Sequence, residues 1–159
     1  MKLIKLTQGK DTLIDNDLFE ELNKFKWHYC IGKGYGYAVR TDRTSGIAVK
    51  VSMHRFIMDC PFDMLVDHID HNTLNNQRYN LRICTKTENV QNMIVRTNKV
   101  SDYKGVDLMK PSNKWRARIR VNKVLKHLGC FDNEIEAALA YNSAAIEYFG
   151  KFAYLNEVT

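Results

Sequence analysis

The sequence predicts an α+β protein in three parts: a small β-rich N-terminal unit, a hairpin-and-helix segment rich in His, Asp and Asn, and a three-stranded antiparallel sheet packed on one helix. Three observations lead there. Residues 1–60 alternate short β-rich runs with turn signals; "KWRARIRV" alternates strictly between apolar and basic side chains; and an alanine-rich helical pattern, "NEIEAALAYNSAAIEYFG", follows one β-run later. At 159 residues and 45% hydrophobic, the chain can build one compact domain or two small ones.

Taken in order, "KLIKL", "GYAVRT" and "IAVKVSMH" read as strands and "NDLFEELNKF" as a short helix. "GKGYGY" lacks the spacing and the following Lys-Ser/Thr of a phosphate-cradling loop, so it reads as a hairpin turn. The run "LVDHIDHNTLNNQRYNLRICTKTENVQN" then orders itself as strand "MLVDH", an Asn-rich loop, strand "NLRIC" and a helix. Thr85 and Glu88 have the spacing of a capping box at that helix start, which places Asn89 about one turn in. A polar stretch near "VRTNKVSD" reads as a linker. Beyond it, Trp115, Ala117, Ile119 and Val121 point to one face of a strand and Arg116, Arg118 and Arg120 to the other. A turn at Asn122-Lys123 returns the chain as "VLKHLGCF", and "YKGVDLMK" supplies a third strand. In the closing helix Asn133 is the N-cap, acids fill the first turn and Gly150 is the stop. Ala137, Ala138, Ala140, Ala144 and Ala145 allow the helix to approach the sheet closely. The resulting organisation is 1–95 (1–60 β-rich, 61–93 the His/Asp/Asn segment), a linker at 96–102, and a second domain at 103–159.

Charge sharpens this division. Lys104 to Lys126 holds eight basic residues against Asp107 alone, whereas Leu128 to the end holds one base against five acids. One layer of the second domain is thus suited to a polyanion. No apolar run reaches the ~20 residues of a membrane span and no signal-peptide pattern opens the chain, so a cytoplasmic protein is expected. Cys30, Cys60, Cys84 and Cys130 are far apart with no Cys-x-x-Cys pair, and are read as buried, reduced thiols.

The chemistry is concentrated at "VDHIDHN". A hairpin folded against the next helix can bring Asp67, His68 and Asn89 around one ion. Cleaving a phosphodiester needs a base to activate water and a metal to neutralise charge. Asp67 offers a hard anionic oxygen and Asn89 a neutral one, a set that suits Mg²⁺ better than zinc. His68 can be the base, since an imidazole near pKa ~6.5 is largely neutral at cellular pH. An amide oxygen would hold its ring without adding charge. Asp70 and His71, the second Asp-His pair, fall in the loop, where Asn72, Asn75 and Asn76 read as loop formers.

From Met64 to Asn92 this run resembles the ββα-metal motif of the HNH endonucleases. The resemblance implies that Asp67 and Asn89 are metal ligands for a single Mg²⁺ or Mn²⁺, that His68 is the general base, and that Asn80 is the middle Asn that orients it. It also places His54 and Arg55, from "VSMHRFIM", near the scissile phosphate. The run "YKGV", "KWRARI", "LGCF", "EAALAYNSAAIEYFG" and the closing "LN" resemble the plant Apetala-two/ethylene-response DNA-binding domain. That resemblance implies a sheet lying in the DNA major groove, with Arg116, Arg118 and Arg120 as contacts and Lys104, Lys114, Lys123 and Lys126 flanking them. Together they point to a metal-dependent homing endonuclease of a phage or mobile element, acting on double-stranded DNA in a bacterial or phage-infected cell, with no obligate protein partner evident. The alternative is a non-catalytic, sequence-specific DNA-binding regulator that retains a decayed nuclease fold.

Overall fold

Short strands joined by tight turns make small antiparallel sheets throughout a computed structural model that describes residues 1–32, 34–93 and 100–158. The chain divides into two units, Met1–Lys86 and Thr87–Thr159. The mixture of helices with antiparallel sheets is the α+β class expected. The division falls ahead of the expected 96–102 linker, of which residues 96–99 lie outside the described residues.

In the first unit, β1 (Lys2–Lys5) and β2 (Asp11–Ile14) form a hairpin, followed by a short helix α1 (Phe19–Leu22). β3 (His28–Gly32), β4 (Tyr35–Asp42) and β5 (Val49–Ser52) form a sheet in that order, α2 (Met53–Ile57) follows directly, and β6 (Leu65–His68) pairs with β7 (Leu81–Cys84). Ile4, Ile14, Leu22, Trp27, Ala38 and Met53 form the core, with Phe25 and Phe56 packed against it. Each fully buried large apolar side chain there contributes about 1.5–3 kcal/mol. The indole N–H of Trp27 donates to Leu22 O at 2.8 Å, so its one polar group is not stranded inside.

Two local readings change. "IAVKVSMH" is a strand only to Ser52, because Met53 and Phe56, three residues apart, both reach the core from one helical turn. That turn carries His54 toward β6. The strands β2 and β3 carry no clear alternation in the sequence that would predict them. At Gly36 on β4 an added Cβ would meet the Tyr29 ring at 2.0 Å, so a larger residue there must displace that side chain. The carbonyl of Gly36 also accepts the Thr73 hydroxyl at 2.6 Å, which ties the Asn-rich loop to the sheet.

In the second unit, α3 (Lys86–Asn92) starts at the boundary, and β8 (Val106–Met109), β9 (Lys114–Val121) and β10 (Val124–Phe131) form a sheet in the order β10-β9-β8. Asn122 and Lys123 take φ of 50° and 68° between the paired Val121 and Val124, the mirror-image turn expected of a two-residue hairpin. α4 (Glu134–Phe149) begins at Asn133, whose side chain accepts the Glu136 N–H at 2.8 Å, and ends at Gly150 with φ 52°. Ala137 and Ala138 pack against Val106 and Ala117, and Trp115 joins them on the helix side of the sheet. A bulge between His127 and Gly129 turns Leu128 inward and leaves Cys130 opposite Arg116. The cysteines depart from expectation: Cys84 is buried, but Cys30 and Cys60 are partly exposed and Cys130 is exposed, since edge strands and loops carry them. Among the described residues, no helix is long and apolar enough to cross a membrane.

Candidate active site

The β6–β7 hairpin places Asp67 opposite Arg82 and His68 opposite Leu81. Arg82 donates through Nε and Nη2 to Asp67 Oδ2 at 2.8 and 2.6 Å, and the two side chains are only 12% and 9% exposed. A charged pair this enclosed is rigid, so the carboxylate is held in one orientation.

Beside it, His68 is buried. Its ring centroid is 5.2 Å from that of His54 on α2 and 6.3 Å from that of Tyr37 on β4, and Tyr37 and His54 are 5.4 Å apart. Burial lowers the His68 pKa below its usual value, while the Asn76 bond and the charges of Asp70 and Asp67 pull part of the way back. The ring is therefore neutral at neutral pH. His54 is half-buried; burial, then the charges of His68 and Arg55, push its pKa down to about 3. It is an uncharged wall of the site. Burial raises the Tyr37 hydroxyl, assisted by Tyr35 and Asp67, so it stays protonated.

The amide facing the His68 ring is Asn76, with Oδ1 3.2 Å from Nε2. Asn80, the position expected to orient the ring, has its side-chain bonds on the loop. Its Oδ1 accepts the Asp70 N–H at 3.0 Å, and its Nδ2 donates to Asp70 Oδ1 at 2.8 Å and to Asn75 O at 2.9 Å. Asp70 also accepts from the Asn72 N–H and from Asn75 Nδ2, each at 2.8 Å. Asp70 is thus the hub of the loop, and His71, at φ 62°, makes the turn beside it. Asn80 closes the loop between β6 and β7. The sequence presents Asn76 only as a loop former and marks neither Thr12 nor Tyr37; the doubled Asn75-Asn76 is the one signal for the first.

Arg55, expected near the scissile phosphate, donates to the carbonyls of Met64, Cys60 and Pro61 at 2.6, 3.2 and 2.8 Å. It staples the turn that leads into β6. Asn89 lies on α3, half-buried, in the second unit. Asp67 and Asn89 present a carboxylate and an amide oxygen, the donor class that Mg²⁺ takes. Among the described residues, no group of three or more His, Cys, Asp or Glu side chains gathers to hold an ion. An ion taken by donors of this class fills its remaining positions with water and phosphate oxygens.

The basic residues divide by face. Arg116, Arg118 and Arg120 share the side of β9 away from the helix, but Arg116 Nη2 and Arg118 Nη2 bind the two oxygens of Asp107 on β8 at 2.6 and 2.8 Å. Arg120 is exposed, as is Lys123 at the turn. Lys114 pairs with Asp132 at 3.0 Å on the surface. Lys104 is absorbed by structure: its Nζ donates to Gln91 O and Met93 O at 2.7 and 2.8 Å, and burial lowers its pKa to about 8. Lys126 pairs across the sheet with the buried Ile119 and donates to Tyr148 OH of α4 at 3.2 Å, so it belongs to the helix side.

A family model described as HNH endonuclease matches residues 59–91, the stretch that runs from the Arg55-stapled turn through β6, the loop and β7 into α3. An uncharacterized HNH endonuclease of Acanthamoeba polyphaga mimivirus is 35% identical over 161 residues, covering 96% of this chain and 79% of that protein. An ethylene-responsive transcription factor of Arabidopsis thaliana is 32% identical over 99 residues, 59% of this chain and 60% of that one. No solved structure matches the chain.

Proposed function

The chain belongs to the HNH endonuclease family, and we propose that it hydrolyses a phosphodiester of duplex DNA with His68 as the general base. The observation that carries this is the state of His68: enclosed, neutral, and held at one ring nitrogen by Asn76 so that the other can take a proton. The proton of the attacking water passes to the ring as the water oxygen bonds to phosphorus and the bond to the 3′ oxygen breaks. Asp67 and Asn89 are the residues that would hold a single Mg²⁺ or Mn²⁺, and such an ion, when bound, supplies positive charge at the scissile phosphate. Arg82 fixes the Asp67 carboxylate, Asn80 fixes the loop, and His54 and Tyr37 exclude water from one side of the base.

We assign nuclease chemistry to residues 1–95 and target recognition to residues 103–159. The likeness to a protein named a transcription factor and the cationic side of β9 both favour this. Such a division suits an endonuclease of the homing type, which must find one long site among many. Purified chain is expected to cut duplex DNA with Mg²⁺ and to stop in EDTA while still shifting the duplex in a gel. Binding with no cutting under any divalent ion would instead identify a regulator.

Recognition has its own test. An Arg that meets a phosphate releases counterions, so log K falls with log[salt] by about 0.9 per contact. Arg118→Ala and Arg120→Ala are each expected to flatten that slope by about one contact, measured by titration at two salt concentrations. If instead one of them costs about 1–3 kcal/mol on specific duplex alone, it reads a base. Unchanged affinity and slope in both variants would move recognition away from this face.

A further inference from the structure

The bonds around His68 extend to the N-terminal hairpin, well outside residues 59–91, and their directions can be deduced from a backbone carbonyl. Leu74 O can only accept; it takes the Leu13 N–H at 2.8 Å and the Thr12 hydroxyl at 2.9 Å. The other group in reach of that hydroxyl proton is Met53 Sδ at 4.0 Å, a weak acceptor at long range, so the proton points at Leu74. The Thr12 oxygen therefore offers a lone pair to its remaining neighbour, the Asn76 side chain at 2.7 Å. Only the NH₂ of Asn76 can donate into it. With Nδ2 committed to Thr12, Oδ1 is the atom that faces His68 Nε2 at 3.2 Å, and an oxygen there requires an N–H opposite. A ring that serves as the base has one proton. If Nε2 carries it, Nδ1 is the base.

We propose that Thr12 and Asn76 are positioning residues that set the tautomer of His68, so that Nε2 is protonated and Nδ1 accepts the proton of the attacking water. Thr12 and Asn76 are both 0% exposed, which leaves no solvent to satisfy either group in another arrangement. The backbone holds them in register: Asn76 N donates to Leu13 O at 2.8 Å, and Leu13 and Asn75 form a parallel bridge. The β1–β2 hairpin is thereby part of the catalytic apparatus, acting through the loop. This inference rests on the reading of His68 as the general base.

The test is ¹⁵N NMR of the His68 ring nitrogens in the full-length chain, with steady-state cleavage of duplex DNA. Wild type is expected to show a protonated Nε2 and a bare Nδ1. In Thr12→Val the Asn76 amide loses its acceptor and can turn its NH₂ toward the ring; the spectrum should move toward the other tautomer. kcat should fall about tenfold or more with KM nearly unchanged, because a base presented through the wrong nitrogen loses its share of catalysis. Thr12→Ser, which keeps the hydroxyl, should restore both readouts. A wild-type spectrum with the proton on Nδ1 overturns the proposal without any variant. So does a Thr12→Val protein whose tautomer and kcat match wild type. His68→Ala separates the two levels: if it cleaves normally, the general-base reading fails, and if it is inactive while Thr12→Val is normal, only the relay from Thr12 fails.

Discussion

His68→Ala is expected to lower duplex cleavage by about 10²- to 10⁴-fold, the usual share of a positioned general base, with DNA affinity nearly unchanged. The ring is buried beside Asp67 in the first unit and the basic sheet face belongs to the second, so its removal takes away a proton acceptor and no phosphate contact assigned to recognition. The substitution leaves Asn76 Oδ1 without its partner in a closed site, at a cost of about 1–3 kcal/mol. A melting curve must therefore accompany the kinetics, and the prediction concerns the folded fraction. Cleavage assays with Mg²⁺ and gel shifts in EDTA measure the two quantities separately. A parallel collapse of binding would mean that the hairpin also holds the DNA. Full activity would make the buried histidine a structural residue.

The parts of this protein legible in the sequence are those where a short-range rule decides. Alternation alone separates Trp115, Ala117 and Ile119 from Arg116, Arg118 and Arg120, and the two-residue turn at Asn122-Lys123 sets the return register. Asn133 caps α4 from three residues away. The order of strand, loop and strand around Asp67 and His68 follows from similar local signals. What escapes is whatever depends on a distant partner. Arg116 and Arg118 read as DNA contacts on one strand face, and only antiparallel pairing shows that Asp107 lies between them. Lys104 reads as a flanking phosphate contact until its ammonium is found on the carbonyls of Gln91 and Met93. Asn76 and Thr12 are 64 residues apart, and nothing in either neighbourhood marks them as one bond. Tertiary contact, and no local propensity, selects Asn76 over Asn80 as the neighbour of the His68 ring.

Asp67→Ala is expected to fail twice, and the two failures can be separated. The carboxylate is one of two candidate ligands for a divalent ion, so its loss should abolish measurable cleavage. It is also a partner of Arg82, and removing one member of a charge pair this enclosed costs about 3–5 kcal/mol, because the guanidinium stays enclosed after losing an anionic partner. Inactivity in Asp67→Ala alone would thus be ambiguous. Replacing both members with apolar residues of similar size, Asp67→Leu with Arg82→Met, is expected to bring stability back to within about 1–2 kcal/mol of wild type, since a hydrophobic pair also avoids the desolvation of both charges. That double variant should fold and bind duplex DNA, yet cut nothing at any Mg²⁺ concentration. Denaturant melts, gel shifts and cleavage on the three proteins decide the matter. If the refolded double variant still cuts, Asp67 is a structural anion whose role is to hold Arg82, and the ion must be sought on other oxygens.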